Sequence, residues 1–438
     1  MSDIALKSLE TFFARLAIQV IAVVGGIIIA RELGASGKGL FTYVVTVVGT
    51  IQMLWAGQSS AIVWQYAKRG HDAAAVFRAS MRIYAVGAGA ATAILLGVAA
   101  AFPEQRILYA AAAVLPFALF AQSSTGFFLA DSDVRSLNVQ QALSAAAPVL
   151  VYVPLLLVAH AGLTTVLIAW AGAWIAAAAF SWLGVLARTR GHAPGNEAGL
   201  VRMQLVYGSQ MSLNSVVSYL NFRIDVFLVL FILGQQALGV YSVGIALGEL
   251  LFNITRPIVT SAMGRIAHGS ERESADVTAK CMRHSFALVL VCSVVVYFAG
   301  PPLVVLVYGP QFAGAGAVLR YLLPGVIAYS TMPVLAAFYS QQLGNPRIPL
   351  YLSATSMVLC AAITAAILNR VGIVGGAIAT SASYLTAFLL ATWYFVRRTG
   401  VPPHRLFILS SEDLHAYRRV AHVALSWPVA LAARLSGR

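Results

Sequence analysis

Two stretches place charged and amide side chains inside apolar sequence long enough to cross a membrane, a setting in which a charge is costly and is kept for a purpose. The first, Tyr207 to Leu233, carries Tyr207, Asn214, Ser218, Asn221 and Asp225 at spacings of three, four or seven, which predicts one polar stripe on a helix. Arg223, two residues from Asp225, faces away from that stripe. The second, Gly239 to Met263, repeats the pattern with Glu249, Asn253 and Arg256 at i, i+4 and i+7. Two apolar helices with polar stripes predict the wall of a wet, polar cavity within a membrane. Near the start, Arg15 and Gln19 lie one turn apart on a common face, and Gln52 falls inside the second apolar run.

The elements that must hold these groups follow from composition. The 438 residues are 60% hydrophobic and only 10% charged, which excludes an ordinary soluble domain. A span needs about 20 apolar residues, and twelve such runs follow one another from residues 10–30 to residues 372–396, mostly with short loops between them. The expected fold is all-α: a polytopic membrane protein of about twelve transmembrane helices. The first run follows Lys7 and has no small-residue cleavage site, so it is expected to be a retained helix. Cys281, Cys292 and Cys360 lie far apart without ligand spacing, and the histidines are scattered, so no metal site, disulfide framework or cofactor is expected.

The formal net charge of +14 matters less than where the cations lie. Loops on the side of the N-terminus collect Lys68, Arg69, Arg188, Arg190, Arg265, Arg272, Lys280, Arg283, Arg397 and Arg398, whereas the opposite loops hold only Arg31, Lys38, Arg106 and Arg370. Both termini are therefore expected in the cytoplasm, and dispersed cations without a recognition motif speak against nucleic acid as a partner.

The chain also reads as a duplication. Leu33-Gly34 corresponds to Leu233-Gly234, Gly39 to Gly239 and Phe41-Thr42 to Tyr241-Ser242, all offset by 200 residues. Weaker echoes pair Leu115-Pro116 with Leu323-Pro324 and Gly162-Leu163 with Gly372-Ile373. Six spans per copy make the copies parallel repeats about an axis normal to the membrane. The expected division is residues 1–195 and 196–400, joined through the Gly191, Pro194, Gly195 and Asn196 segment, with a cytoplasmic tail at 401–438. In the Gly264 to His284 loop, Ser274 is expected to cap a short helix. In the tail, Ser410 to Asp413 has the form of a capping box, and Leu414, Tyr417 and Ala421 share a face opposite Arg418 and Arg419, as in an interfacial helix.

Arg31-Glu32-Leu33-Gly34 through Gly39-Leu40-Phe41, Arg223-Ile224-Asp225, Leu238 to Ser242, Tyr308-Gly309 through Phe312, and Gly372 to Ala377 come in an order and spacing that resembles the polysaccharide flippases of the multidrug/oligosaccharidyl-lipid/polysaccharide exporter superfamily. The resemblance implies two six-helix bundles around a central cavity. It further implies alternating access that carries undecaprenyl-diphosphate-linked oligosaccharide repeat units across a bacterial inner membrane, for O-antigen, capsule, other lipopolysaccharide or exopolysaccharide synthesis. The partners implied are that lipid-linked substrate, membrane lipids, and a polymerase and glycosyltransferases of the same pathway.

A diphosphate cannot meet bare hydrocarbon, and a guanidinium fork suits it. Arg15, Gln19, Gln52, Asn221, Arg223, Asn253 and Arg256 become candidate substrate contacts, and Asp225 and Glu249 candidate carriers of a coupling ion. Competing readings stand beside them. Arg15 could snorkel to the interface, Arg223 with Asp225 and Glu249 with Arg256 could be structural pairs, and Gln52 could bond between helices. A drug or metabolite exporter of the same superfamily is the alternative function. A membrane glycosyltransferase or polymerase fits less well, because no opposite-side loop is long enough to carry catalysis; the chain is not expected to be an enzyme. A reporter fused after Arg398 is expected to be active only in the cytoplasm, and activity only outside it would overturn the topology.

Overall fold

The computed structural model describes backbone over residues 2–190, 199–410 and Asp413, and side chains within those stretches from Leu16 onward. The Gly191–Asn196 joint, the side chain of Arg15 and the tail positions Leu414, Tyr417, Arg418, Arg419 and Ala421 lie outside the described residues.

Among the described residues the regular structure is all helical, because hydrocarbon offers peptide groups no hydrogen-bonding partner and a helix satisfies its own. Its elements are α1 (Ser2–Val63), α2 (Ala73–Ala101), α3 (Leu108–Ala130), α4 (Val134–Gln141), α5 (Ala147–Ala159), α6 (Leu163–Thr189), α7 (Leu200–Asn221) and α8 (Ile224–Glu249). After these come α9 (Phe252–His268), α10 (Glu271–Tyr308), α11 (Ala313–Tyr329), α12 (Met332–Ala337), α13 (Arg347–Val371), α14 (Ile373–Thr399) and the short α15 (His404–Phe407). Ten described helical stretches are long and apolar enough to cross a membrane, so the protein is multi-pass.

Two of the ten fold back on themselves. A straight α1 of 62 residues would be about 90 Å long, three bilayer cores. It is broken at Gly34 (φ 67°, ψ −174°), and α8 is broken in the same way at Gly234 (φ 86°, ψ 178°). A Cβ is strained in that region, so glycine recurs at both copies of the turn. The break at Gly34 divides α1 into two passes, whereas that at Gly234 separates a short first part of α8, which follows on from α7, from the part that runs on towards α9.

The polar stripes do not lie on continuous helices. Between α7 and α8 the amides of Phe222 and Arg223 reach back three residues, to Tyr219 and Leu220. Between α8 and α9 the amides of Leu251 and Asn253 do the same, to Gly248 and Leu250. Each tightened turn falls between members of a stripe, Asn221 and Asp225 at the first and Glu249 and Asn253 at the second.

Contacts divide the chain into two compact units. The larger comprises residues 1–246, 299–322 and 353–383; the smaller comprises 247–298, 323–352 and 384–438. In the larger unit, Ile29, Val149, Tyr152, Leu156 and Val166 form one buried cluster, and Ile62, Val76, Phe127, Val185 and Leu200 another. The side of α1 beyond Gly34 packs closely along α7, with the Ser212 hydroxyl donating to Leu54 O at 2.5 Å and the Gln65 amide to Leu200 O at 3.0 Å.

In the smaller unit, Phe338, Tyr339, Tyr394 and Phe395 interlock as rings, and the Tyr339 hydroxyl donates to Ala391 O. Ser274 does not cap a separate helix. Ser270 is the cap, exchanging hydrogen bonds with Glu273 at the start of a continuous 38-residue α10, and Ser274 donates instead to Ile266 O. The Ser410–Asp413 box is formed, and the Asp413 carboxylate also takes Arg283 at 2.7 Å and His284 at 3.4 Å, fixing the start of the tail to α10.

At the loop between α3 and α4, Arg188 donates to Asp131 and Asp133, both at 2.6 Å, with its guanidinium over the Phe128 ring. Burial raises the Asp133 carboxyl, but donation from Ser136 and from Arg188 outweighs it and holds the group below its ordinary value. A depressed folded value gives stability that is complete above the unfolded value of about 4 and is lost as pH falls through the folded one. Asp133→Asn keeps the helix cap and removes the charge. It is expected to cost about 1–2 kcal/mol at neutral pH, with thermal-unfolding midpoints of wild type and variant converging as pH falls below about 4; a gap that stays constant in acid would refute the assignment.

Candidate functional site

The best-defined polar cluster of the larger unit is centred on Asp225, whose residue is 2% exposed. It stands in the first turn of α8, just past the tightened turn at Phe222 and Arg223. Its Oδ2 accepts from the Tyr241 hydroxyl at 2.6 Å and from the Thr380 hydroxyl at 3.0 Å, and its Oδ1 accepts from the amide of Val226 at 2.8 Å. Tyr241 lies beyond the Gly234 break, so the fold-back of α8 brings phenol and carboxylate together. Thr380 comes from α14, and the Cys360 thiol of α13 lies 3.5 Å from its hydroxyl. Gly376 leaves room for the phenol, since a Cβ there would stand 2.9 Å from it.

This arrangement presents a carboxylate, two hydroxyls and a thiol converging between helices, all of them buried. Hydroxyl donors stabilise the charged carboxylate yet can turn to serve as acceptors, so the group can hold a proton or a small cation. Among the described residues, no three His, Cys, Asp or Glu side chains converge to hold a metal ion.

The other sequence-derived candidates are distributed as follows. Asn221 is buried at the end of α7, and Arg223 is half-buried, donating to Phe222 O at 3.0 Å with its guanidinium 5.9 Å from the Tyr219 ring. The structure thus brings Asn221, Arg223 and Asp225 to one break in the helix. Gln52 is half-buried and reaches Ala118 O of α3 at 3.4 Å, a bond between helices, and Gln19 is half-buried on α1. In the smaller unit Glu249 and Asn253 are half-buried, one on each side of the second tightened turn, and Arg256 is exposed on α9.

Tyr241, Thr380 and Cys360 were not among the candidate site residues read from sequence: Tyr241 entered only as part of the repeat and Cys360 only as a thiol without ligand spacing. The duplication held a signal for two of them. Counting back by 200 residues, Asp225 and Tyr241 correspond to Gly25 and Phe41; counting back by 210, the offset of Gly162 and Gly372, Thr380 corresponds to Trp170. In the first copy those places are apolar and filled. Phe41 packs edge-on to Trp170 at 6.2 Å, and a Cβ at Gly25 would meet the Tyr152 hydroxyl. One copy kept an apolar plug where the other has a polar node.

Comparison with known proteins places these features in context. A family model described as lipid II flippase MurJ matches residues 144–433, and one described as polysaccharide biosynthesis protein matches residues 7–264. Among solved structures, the lipid II flippase MurJ in an inward closed conformation superposes with a TM-score of 0.74 at 13% identity, over 96% of this chain and 93% of that one. An inward-facing multidrug resistance MATE family transporter of the MOP superfamily gives 0.70 at 15% identity, over 89% and 98%. A MOP superfamily transporter from Pyrococcus furiosus gives 0.63 at 14%, over 90% and 95%. No curated protein sequence matches. At these identities the structural likeness establishes the fold, that of the MOP superfamily transporters.

Tyr241→Phe installs the residue of the first copy and deprives a buried carboxylate of its 2.6 Å donor. The expected cost is about 1.5–3 kcal/mol, read as a lower thermal-unfolding midpoint of the purified protein. An unchanged midpoint would mean that the phenol does not stabilise Asp225.

Proposed function

Because the chain belongs to the lipid II flippase MurJ and polysaccharide biosynthesis protein families, we propose that it moves undecaprenyl-diphosphate-linked oligosaccharide repeat units across the bacterial inner membrane by alternating access. It acts as a carrier, without covalent chemistry, and supplies a polymerase with glycosyltransferase products for a surface polysaccharide such as O-antigen, capsule or exopolysaccharide. Both termini lie in the cytoplasm, in line with the cations gathered on that side. Residues 1–195 and 196–400 act as the two six-helix repeats, with the cargo cavity between them.

The observation that carries the reading is that two family models, each covering more than half of the chain, concern lipid-linked or polysaccharide cargo. In this reading Arg15, with Gln19, provides the cation that a diphosphate needs on its way through hydrocarbon. Gln52, Asn221, Arg223, Asn253 and Arg256 contribute further polar contacts along the path, and Asp225, with Glu249, takes up the coupling ion. Transport then links ion release at the Asp225 node to movement of the helices that form it, since α8 and α14 both contribute to its hydrogen bonds.

The structural likeness to multidrug MATE transporters supports a second reading, an exporter of small organic cations. The two are separated by binding to purified protein: a polyprenyl diphosphate glycan for the first, a cationic dye for the second.

Arg15→Ala is expected to abolish surface polysaccharide in a strain lacking the flippase, and Arg15→Lys, which keeps charge but loses the two-pronged fork, to retain part of it. Membrane levels of each variant are measured alongside. Normal polysaccharide from well-expressed Arg15→Ala would remove Arg15 from the path.

A further inference from the structure

We infer that the smaller unit binds the headgroup of an ethanolamine phospholipid in a polar cavity between the start of α10, the end of α14 and α15. The cavity is made by the way the chain leaves the last long helix. After Thr399, Gly400 takes a φ of 71°, where a side chain is strained, and Pro402 cannot extend a helix, so the backbone turns aside. It is then held against its neighbours. Leu406 is fully buried, Phe407 packs edge-on against Phe286 at 5.2 Å and Phe388 at 5.7 Å, and the Arg283 guanidinium donates to Arg405 O at 2.9 Å. These contacts enclose about 630 Å³. The walls stand without any ligand.

The charges around the cavity decide what it takes. Arg398 grips Glu271 through two N–H groups at 2.9 and 3.4 Å, so that wall is neutral. Arg272 and Asp276, one turn apart on α10, and Arg405 on α15 also line the cavity; all three are exposed, and among the described residues none of their side chains has an ion-pair or hydrogen-bond partner. A simple anion would leave Asp276 unmatched, and a simple cation would leave both arginines so. A phosphate with an ammonium two carbons away satisfies all three, the guanidinium forks taking the phosphate and the carboxylate accepting from the ammonium.

The source of that ligand follows from the height of the cavity on α14. Trp393 is 59% exposed, with the Arg397 guanidinium 5.5 Å from its ring. An exposed tryptophan beside a cation at the end of a spanning helix marks the headgroup layer. The cavity begins at the next residue, Arg398, and so lies level with lipid phosphates. Basic cavities between helices on the cytoplasmic side, where the proposed orientation puts this one, suit phospholipid headgroups. Choline has no N–H to give Asp276, and glycerol has no charge. A bound ethanolamine headgroup joins α10 to α15 and fastens the start of the tail to the bilayer.

The test is titration of the purified full chain in detergent with dihexanoyl phospholipids bearing ethanolamine, choline or glycerol, with bound lipid counted by native mass spectrometry. The ethanolamine lipid is expected to bind at least about tenfold more tightly than the other two, because only it completes both sets of charge-assisted hydrogen bonds. Arg272→Gln/Arg405→Gln is expected to weaken all three lipids, and Asp276→Asn to erase the preference over choline while leaving choline binding unchanged. All three side chains are exposed, so the unfolding midpoint of the lipid-free variants is expected to match that of the parent. Equal binding of the three lipids, a preference for glycerol, or selectivity that survives Asp276→Asn overturns the proposal. Glycerophosphoethanolamine or inorganic phosphate binding as tightly as the lipid would assign the cavity to a soluble phosphate compound and overturn the lipid source. None of these readouts depends on transport, so they stand or fall apart from the proposed cargo.

Discussion

A carboxylate within a membrane persists only if its oxygens are occupied, and much of the larger unit is arranged to occupy those of Asp225. The phenol that takes Oδ2 lies 16 residues further along the chain, closer than a straight helix would bring it. The break at Gly234 folds α8 back so that Tyr241 stands beside Asp225. The absence of a side chain at Gly376 lets the phenol in, and α14 must be close enough for Thr380 to supply the second donor. Fold-back, small residue and third helix are separate features of the sequence, and the buried charge gives all three one physical reason.

The passes were legible because hydrocarbon thickness imposes one length on every apolar run. The fold-backs at Gly34 and Gly234 were legible as a repeated Leu-Gly pair at which only glycine takes the backbone angles without strain. The tightened turns at Phe222-Arg223 and Leu250-Leu251 were not, since the first contains neither glycine nor proline, the second only a Gly248 inside an apolar helical run, and each is a shift of a few hydrogen bonds from four residues to three. A shift of that size leaves no mark on periodicity, so the stripes run across positions at which the helices end. Ser274 misled for a related reason: Ser270, four residues earlier, had Glu273 at the right distance to complete a box, and α10 began there.

For the site, cost located the centre and left out its surroundings. Asp225 stands out because a charge there demands an explanation. Tyr241 and Thr380 do not, because hydroxyl side chains are common in membrane helices and the Thr380 contact spans 155 residues of sequence. The amide of Gln52 shows the opposite case, a polar residue in an apolar run whose contact with Ala118 O ties two helices together.

Duplication explains why one chain can hold both a symmetric and an asymmetric device. A contact on the axis between the copies is constrained twice over, since any change at Gly39 meets the main chain of α8 and any change at Gly239 meets that of α1. Such a contact stays symmetric, as the shared glycines do. Away from the axis each copy's interior is constrained only by its own neighbours. The position of Asp225 in one copy could become Gly25 in the other once the Tyr152 phenol filled the space, and Tyr241 and Thr380 could stand where the other copy packs Phe41 edge-on against Trp170. Away from the axis, then, the copies diverged into a buried carboxylate held by hydroxyls in one and packed rings in the other.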